Sequence, residues 1–111
     1  MRRHTEQMMD PIRRGSTPSL LFKTPYEAEI IVGGFLTFSQ RGAVVFEKKI
    51  PEEVAVLDGG LVCDLSQEET LQLTTVDVLK AQAWFILPYG KTAGSGVWRI
   101  PVLGTLKGGE I

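Results

Sequence analysis

One cysteine and one histidine occur in 111 residues, and each scarcity removes a class of chemistry. Cys63 stands alone, so the chain cannot close an internal disulfide or build a cysteine-cluster zinc site. Within Leu61-Val62-Cys63-Asp64-Leu65, two-residue alternation places it on the face of Leu61 and Leu65. It therefore reads as a small buried apolar residue and not as a reactive thiol. His4 lies near the N-terminus, outside the patterned region, so no serine or cysteine of the folded part has a histidine base from its own chain. The N-terminus carries no apolar run of the secretory kind, and no segment is long enough to span a bilayer as a helix. Synthesis and folding in the cytoplasm are expected. An excess of one charge is lacking too: 12 basic against 13 acidic residues leave a net charge of -1. No global field draws the chain to nucleic acid or to an anionic membrane, and neither is expected as a partner.

The chain is long enough for one domain and short for two. Its hydrophobic fraction of 43% and charged fraction of 23% are those of a folded globular domain. A domain of this size buries a working core without disulfides or metal. Charge is unevenly placed. Arg2, Arg3, Arg13 and Arg14 crowd the first segment, offset there by Glu6 and Asp10. Residues 1–14 read as an N-terminal arm, extended or ordered by a partner; deletion of residues 1–12 is expected to impair assembly and leave folding intact. Residues 15–111 read as the folded domain.

After Pro18 the pattern is β. Strands are expected at 19–23, 30–40, 43–50, 54–57, 61–65, 76–87 and 96–106. Gly33 and Gly34 mark a bulge or a close backbone approach. Gln40-Arg41-Gly42 is a tight turn, with Val44 and Phe46 expected on one face of the returning strand and Glu47 and Lys49 on the other. Asp58-Gly59-Gly60 is a second turn. Ser66-Gln67-Glu68-Glu69 has capping-box spacing and predicts a short helical turn. The 76–87 strand sets Leu79, Ala81, Ala83, Phe85 and Leu87 on one face. The opposite face also carries apolar residues, as suits a central or partner-covered strand. Residues 89–96 read as a loop, and Pro101 makes the last strand an edge or bulges it. Seven short strands at regular spacing indicate an all-β antiparallel sandwich with one helical turn; a small, partly open barrel is the alternative.

Reactive constellations are weak. Glu52-Glu53 and Glu68-Glu69 are adjacent pairs whose side chains point apart, and the second is explained by capping. The 89–96 segment has glycines without phosphate-loop spacing or a following helix. No catalytic, metal-binding or cofactor-binding residue is assigned. Candidate partner-binding residues are Arg13 and Arg14, whose guanidinium forks suit acidic groups of a neighbouring subunit, and Trp84 and Trp98. For the two tryptophans a place in the core is the competing reading. Trp84, Trp98 and Tyr89 could alternatively form an aromatic platform for a carbohydrate or other ligand.

Three stretches carry a resemblance: Arg13-Arg14-Gly15-Ser16-Thr17-Pro18, Leu36-Thr37-Phe38-Ser39-Gln40 and Leu65-Ser66-Gln67-Glu68-Glu69-Thr70-Leu71. Together they resemble small proteins encoded in prophages and phages of Gram-positive gut bacteria, across nearly all of the chain after Ile12. Trp84 and the 89–96 loop follow that pattern only loosely. The opening stretch is also similar to the start of the N-terminal domain of lactococcal-type baseplate upper proteins, an immunoglobulin-like β domain. The resemblance implies a non-enzymatic virion structural protein of the tail or baseplate, with an immunoglobulin-like sandwich. It also implies assembly with other virion proteins and with copies of itself as a homo-oligomer. A head–tail connector or capsid decoration protein is the alternative within that class.

Overall fold

A computed structural model of the protein describes residues 6–105. Two extended segments, β1 (Glu6–Met8) and β2 (Ile12–Arg13), lead into β3 (Ser19–Lys23). The hairpin strands β4 (Gly33–Gln40) and β5 (Ala43–Ile50) follow, then β6 (Ala55–Leu57), β7 (Gly60–Asp64) and the helical turn α1 (Gln67–Leu71). The chain closes with β8 (Leu79–Ile86), β9 (Thr92–Gly94), β10 (Val97–Ile100) and β11 (Val102–Leu103).

The larger sheet runs β1-β10-β8-β4-β5, with β9 also on β8; the smaller runs β3-β7-β6; β11 and β2 form a separate pair. Facing sheets of this order, with α1 bridging β7 to β8, match the B-E-D and G-F-C-C′ strands of a variable-type immunoglobulin domain. The sandwich expected from the strand spacing is therefore present.

The core lies between the sheets. Leu36, Phe38, Leu79, Ala81, Ala83, Phe85 and Ile100 from the larger sheet meet Leu20, Phe22, Leu61 and Cys63 from the smaller, all buried. Aromatic contacts link the two layers. The Phe22 ring sits 6.2 Å from Phe38, edge-on, and 4.8 Å from Trp98.

Local chemistry explains several elements. The capping box of α1 is complete: Ser66 Oγ accepts from the Glu69 amide at 3.0 Å, and Glu69 accepts from the Ser66 amide at 2.9 Å. Gly34 has φ of +150°, and a Cβ there would lie 2.0 Å from the Trp84 carbonyl oxygen. This is the close approach that the glycine pair signalled. On β5, register shifts between Phe38 and Ser39, so Phe46 opposes Phe38 while Val44 opposes Ser39. Val45 is the extra residue of the bulge. The expected pairing of Val44 with Phe46 on one face is corrected accordingly: Phe46 packs on the core while Val44 is exposed. The inward position next along the strand falls to Lys48.

The arm is also corrected. Its residues from Glu6 onward are extended, as expected, but the same chain orders them. β1 pairs in parallel with β10, and β2 with β11. The amides of Met9, Ile12 and Arg14 donate to the carbonyls of Arg99, Pro101 and Leu103 at 2.8–2.9 Å. The last strand thus has no free edge there, and Ile12 is a core residue. The cause is general: an open strand edge presents unpaired carbonyls, and the nearest extended segment satisfies them. Residues 1–5 lie outside the described residues, as does His4. The 89–96 loop contains β9, which completes the edge of β8 beyond the end of β10.

Candidate interaction surfaces

Arg14 is bound within its own fold. Its guanidinium donates to the carbonyls of Leu73 at 2.9 Å and Leu71 at 2.8 Å, at the C-terminal end of α1, where a cation also suits the helix dipole. Thr70, fully buried, accepts from the Gly15 amide at 3.0 Å and donates to the Ser16 carbonyl at 2.7 Å. The Gln67 amide donates to the Gly15 carbonyl at 2.9 Å. Arg14 is therefore a clamp between the N-terminal segment and α1, which corrects its assignment to a neighbouring subunit. Arg13 is exposed and donates to the Gly104 carbonyl at 2.8 Å.

The two tryptophans separate. Trp98 is 5% exposed and packs on Phe22, so its partner-binding assignment is corrected to a core role. Trp84 is 50% exposed, on the outer face of the larger sheet. Alternation along β8 sends Phe85 inward and Trp84 outward, and the same rule on β10 sends Trp98 inward. With Trp98 buried, the three-residue platform of Trp84, Trp98 and Tyr89 does not form.

Trp84 instead centres a different surface. It lies opposite Phe35 on β4, and its indole covers Gly94 on β9, where a Cβ would stand 2.9 Å from the ring. Ile86, two residues along the same face, is exposed too. The inner face of this sheet is already filled by the core, so this is a second apolar face on one sheet. Apart from the exposed Val44 on β5, the other half of the same face is polar: Thr37 donates to Glu47 at 2.6 Å, and Ser39, Lys80 and Gln82 lie beside them on β4 and β8. The contrast between halves was legible in β8, whose outward positions change from Lys80 and Gln82 to Trp84 and Ile86. The contribution of Phe35 required the register.

Several titratable groups have structural partners. Lys48 is 9% exposed, inward-pointing on the outermost strand β5, and its ammonium meets Glu69 at 2.7 Å. Burial pushes the Glu69 carboxyl up, but the Lys48 hydrogen bond and the Ser66 amide together hold it below the ordinary value of 4.5. Asp77 is lowered chiefly by the Arg41 amide, with a further bond from Val78. Burial pushes the Cys63 thiol up to about 11, which leaves it protonated and unreactive at neutral pH. Glu53 accepts from the Lys49 amide at 2.9 Å. Among the described residues, no group of three or more His, Cys, Asp or Glu could hold a metal ion, and no helix is long and apolar enough to cross a membrane.

A second feature lies where the sandwich is open. β1 joins the larger sheet, and among the described residues no strand pairs the other side of β3. A cleft of about 540 Å³ opens between the end of β3 and the β9–β10 edge, walled by Tyr26, Phe85 and Trp98.

No protein-family model matches the chain, and no curated protein sequence does. Among solved structures, it is similar to the immunoglobulin-like domain of mouse leukocyte-associated immunoglobulin-like receptor 1, crystallised as a strand-swapped dimer. Identity is 9%, 90% of each chain is covered, and the TM-score is 0.45. The extracellular domain of the same receptor is similar at 9% identity over 97% of this chain and 89% of that one, with a TM-score of 0.44. Likenesses at this level bear on no functional conclusion.

Proposed function

We propose that the chain is a non-enzymatic phage virion structural protein, a tail or baseplate component that acts through subunit–subunit contacts. The observation that carries this reading is the outward apolar face of Trp84, Phe35 and Ile86 on a sheet whose inner face is already buried. A contiguous exposed apolar patch centred on a tryptophan is the anatomy of a protein-binding surface. The resemblance of the three sequence stretches to phage-encoded proteins supplies the kind of assembly. The partner is a second copy of the same chain, because repetition around a symmetric ring lets a modest patch hold an assembly together.

The test is sedimentation of the full chain beside Trp84→Lys, combined with locating the chain in purified virions. An oligomer is expected, with the variant dissociating at least about tenfold more readily at unchanged circular dichroism. A strict monomer that is absent from virions would overturn the proposal.

A further inference from the structure

Among the described residues, β3 offers the longest unguarded strand edge. β1 and β2 cover β10 and β11, and β5 is guarded by its bulge and its inward lysine. β6, on the far side of the smaller sheet, is three residues long. β3 is five residues long and in unbroken register with β7, and no strand pairs its other side among the described residues. Hydrogen-bond parity fixes what this edge presents. The Leu65 amide donates to the Pro18 carbonyl at 3.0 Å, and the Thr24 amide donates to the Gly59 carbonyl at 3.0 Å. Leu20 and Phe22 share that parity, so their amides and carbonyls face β7. Those of Ser19, Leu21 and Lys23 point the other way, to the open edge. Pro18 and Pro25 bracket the stretch and confine pairing to it.

The edge is complementary to itself. A twofold axis at Leu21 sets that residue opposite the partner's Leu21, and Ser19 opposite the partner's Lys23. Every such pair joins two residues whose backbone groups face outward, so each exchanges both ladder bonds. The side chains agree with the backbone. Ser19, Leu21 and Lys23 are exposed, Leu21 by 52%. Leu21 heads a cross-strand row with Val62 and Ala55, and pairing carries that row unbroken through both copies. Lys23 makes no ion pair among the described residues. Opposite it would stand the partner's Ser19, whose hydroxyl donates to Asp64 on the neighbouring strand. Each Lys23 ammonium thereby approaches the partner's Asp64 carboxylate, once at either end of the contact. An unrelated strand would use the backbone groups without this matched pair of charges, which favours a second copy as the occupant.

We propose that β3 pairs antiparallel with β3 of a second copy about a twofold axis at Leu21, joining two smaller sheets into one. The contact lies on the opposite layer from the Trp84 face and does not depend on it.

The experiment uses the full chain carrying Trp84→Lys, so that the Trp84 face contributes nothing. Sedimentation equilibrium from micromolar to millimolar concentration is expected to show a dimer. The amides of Ser19, Leu21 and Lys23 should slow in hydrogen exchange as concentration rises. Lys23→Glu alone and Asp64→Lys alone each bring like charges together at both ends, and each should weaken dimerisation about tenfold. An equimolar mixture of these two variants restores opposite charges at both ends and should dimerise as tightly as the parent. Leu21→Pro removes an amide that the ladder to β7 does not use, and should abolish the dimer at unchanged circular dichroism. A monomer throughout the range would overturn the proposal, as would a mixture no tighter than either variant alone. Because every arm carries Trp84→Lys, a negative result leaves the assembly reading standing, and loss of that reading leaves this dimer.

Discussion

Two tryptophans of the same strand-rich half have opposite environments, and the difference is set by strand parity. Trp98 falls on an inward position of β10 and Trp84 on an outward position of β8. Truncating a buried aromatic removes its transfer free energy and leaves a cavity. Trp98→Ala should therefore lower stability by about 3–5 kcal/mol in urea titration, since the ring also supports Phe22. Trp84→Ala should stay within about 1 kcal/mol, its loss being felt in association. Equal destabilisation by both would contradict the burial pattern. Gln40 shows the same residue-level economy. It is 6% exposed, and its amide nitrogen reaches the carbonyls of Thr74 and Asp77 while its oxygen accepts from the Thr74 amide. Such a residue holds a loop in place and is unavailable to a partner.

At the scale of elements, β5 and α1 depend on each other. β5 is the outermost strand, eight residues long, and it carries a bulge and an inward lysine. Both features discourage pairing with a foreign strand. Lys48 in turn needs Glu69, which also completes the capping box. Because Glu69 titrates below its ordinary value when folded, its stabilisation is present above about pH 4.5 and is lost as pH falls through that value toward the folded one. Glu69→Gln should cost about 1.5–3 kcal/mol at neutral pH by chemical denaturation. It should also flatten the acid limb of the stability curve. An unchanged acid limb would mean that the pair does not govern it.

The whole molecule is closed by its N-terminal segment. Ile12 enters the core, Arg14 caps α1, and β1 and β2 cover the last strands. Removing residues 1–14 should therefore lower folding stability by at least about 3 kcal/mol. Retention of the full thermal midpoint would show the segment to be dispensable. The expectation that residues 1–12 could be lost without cost to folding is reversed for the same reason, since Ile12 is a core residue and β1 pairs with β10.

The three stretches that carry the phage resemblance are joints of this architecture. Arg14, Gly15 and Ser16 bond to Leu71, Thr70 and Leu73, and Gln40 fastens the segment before β8. They describe how the domain is held together.

Much of this was written in short-range chemistry. Alternation along β3, β7 and β8, the turns at Arg41-Gly42 and Gly59-Gly60, the capping box and the want of a histidine base are all visible within a few residues. They determine an all-β sandwich with few reactive groups. Long-range pairing was not visible, because it depends on which strand edges the completed sheets leave open. Only the tertiary structure decided that residues 6–13 would occupy the edge of β10 and β11. It alone brought Arg14 to α1 and set Phe35 beside Trp84. By drawing β1 to the larger sheet, it also left the cleft beside β3.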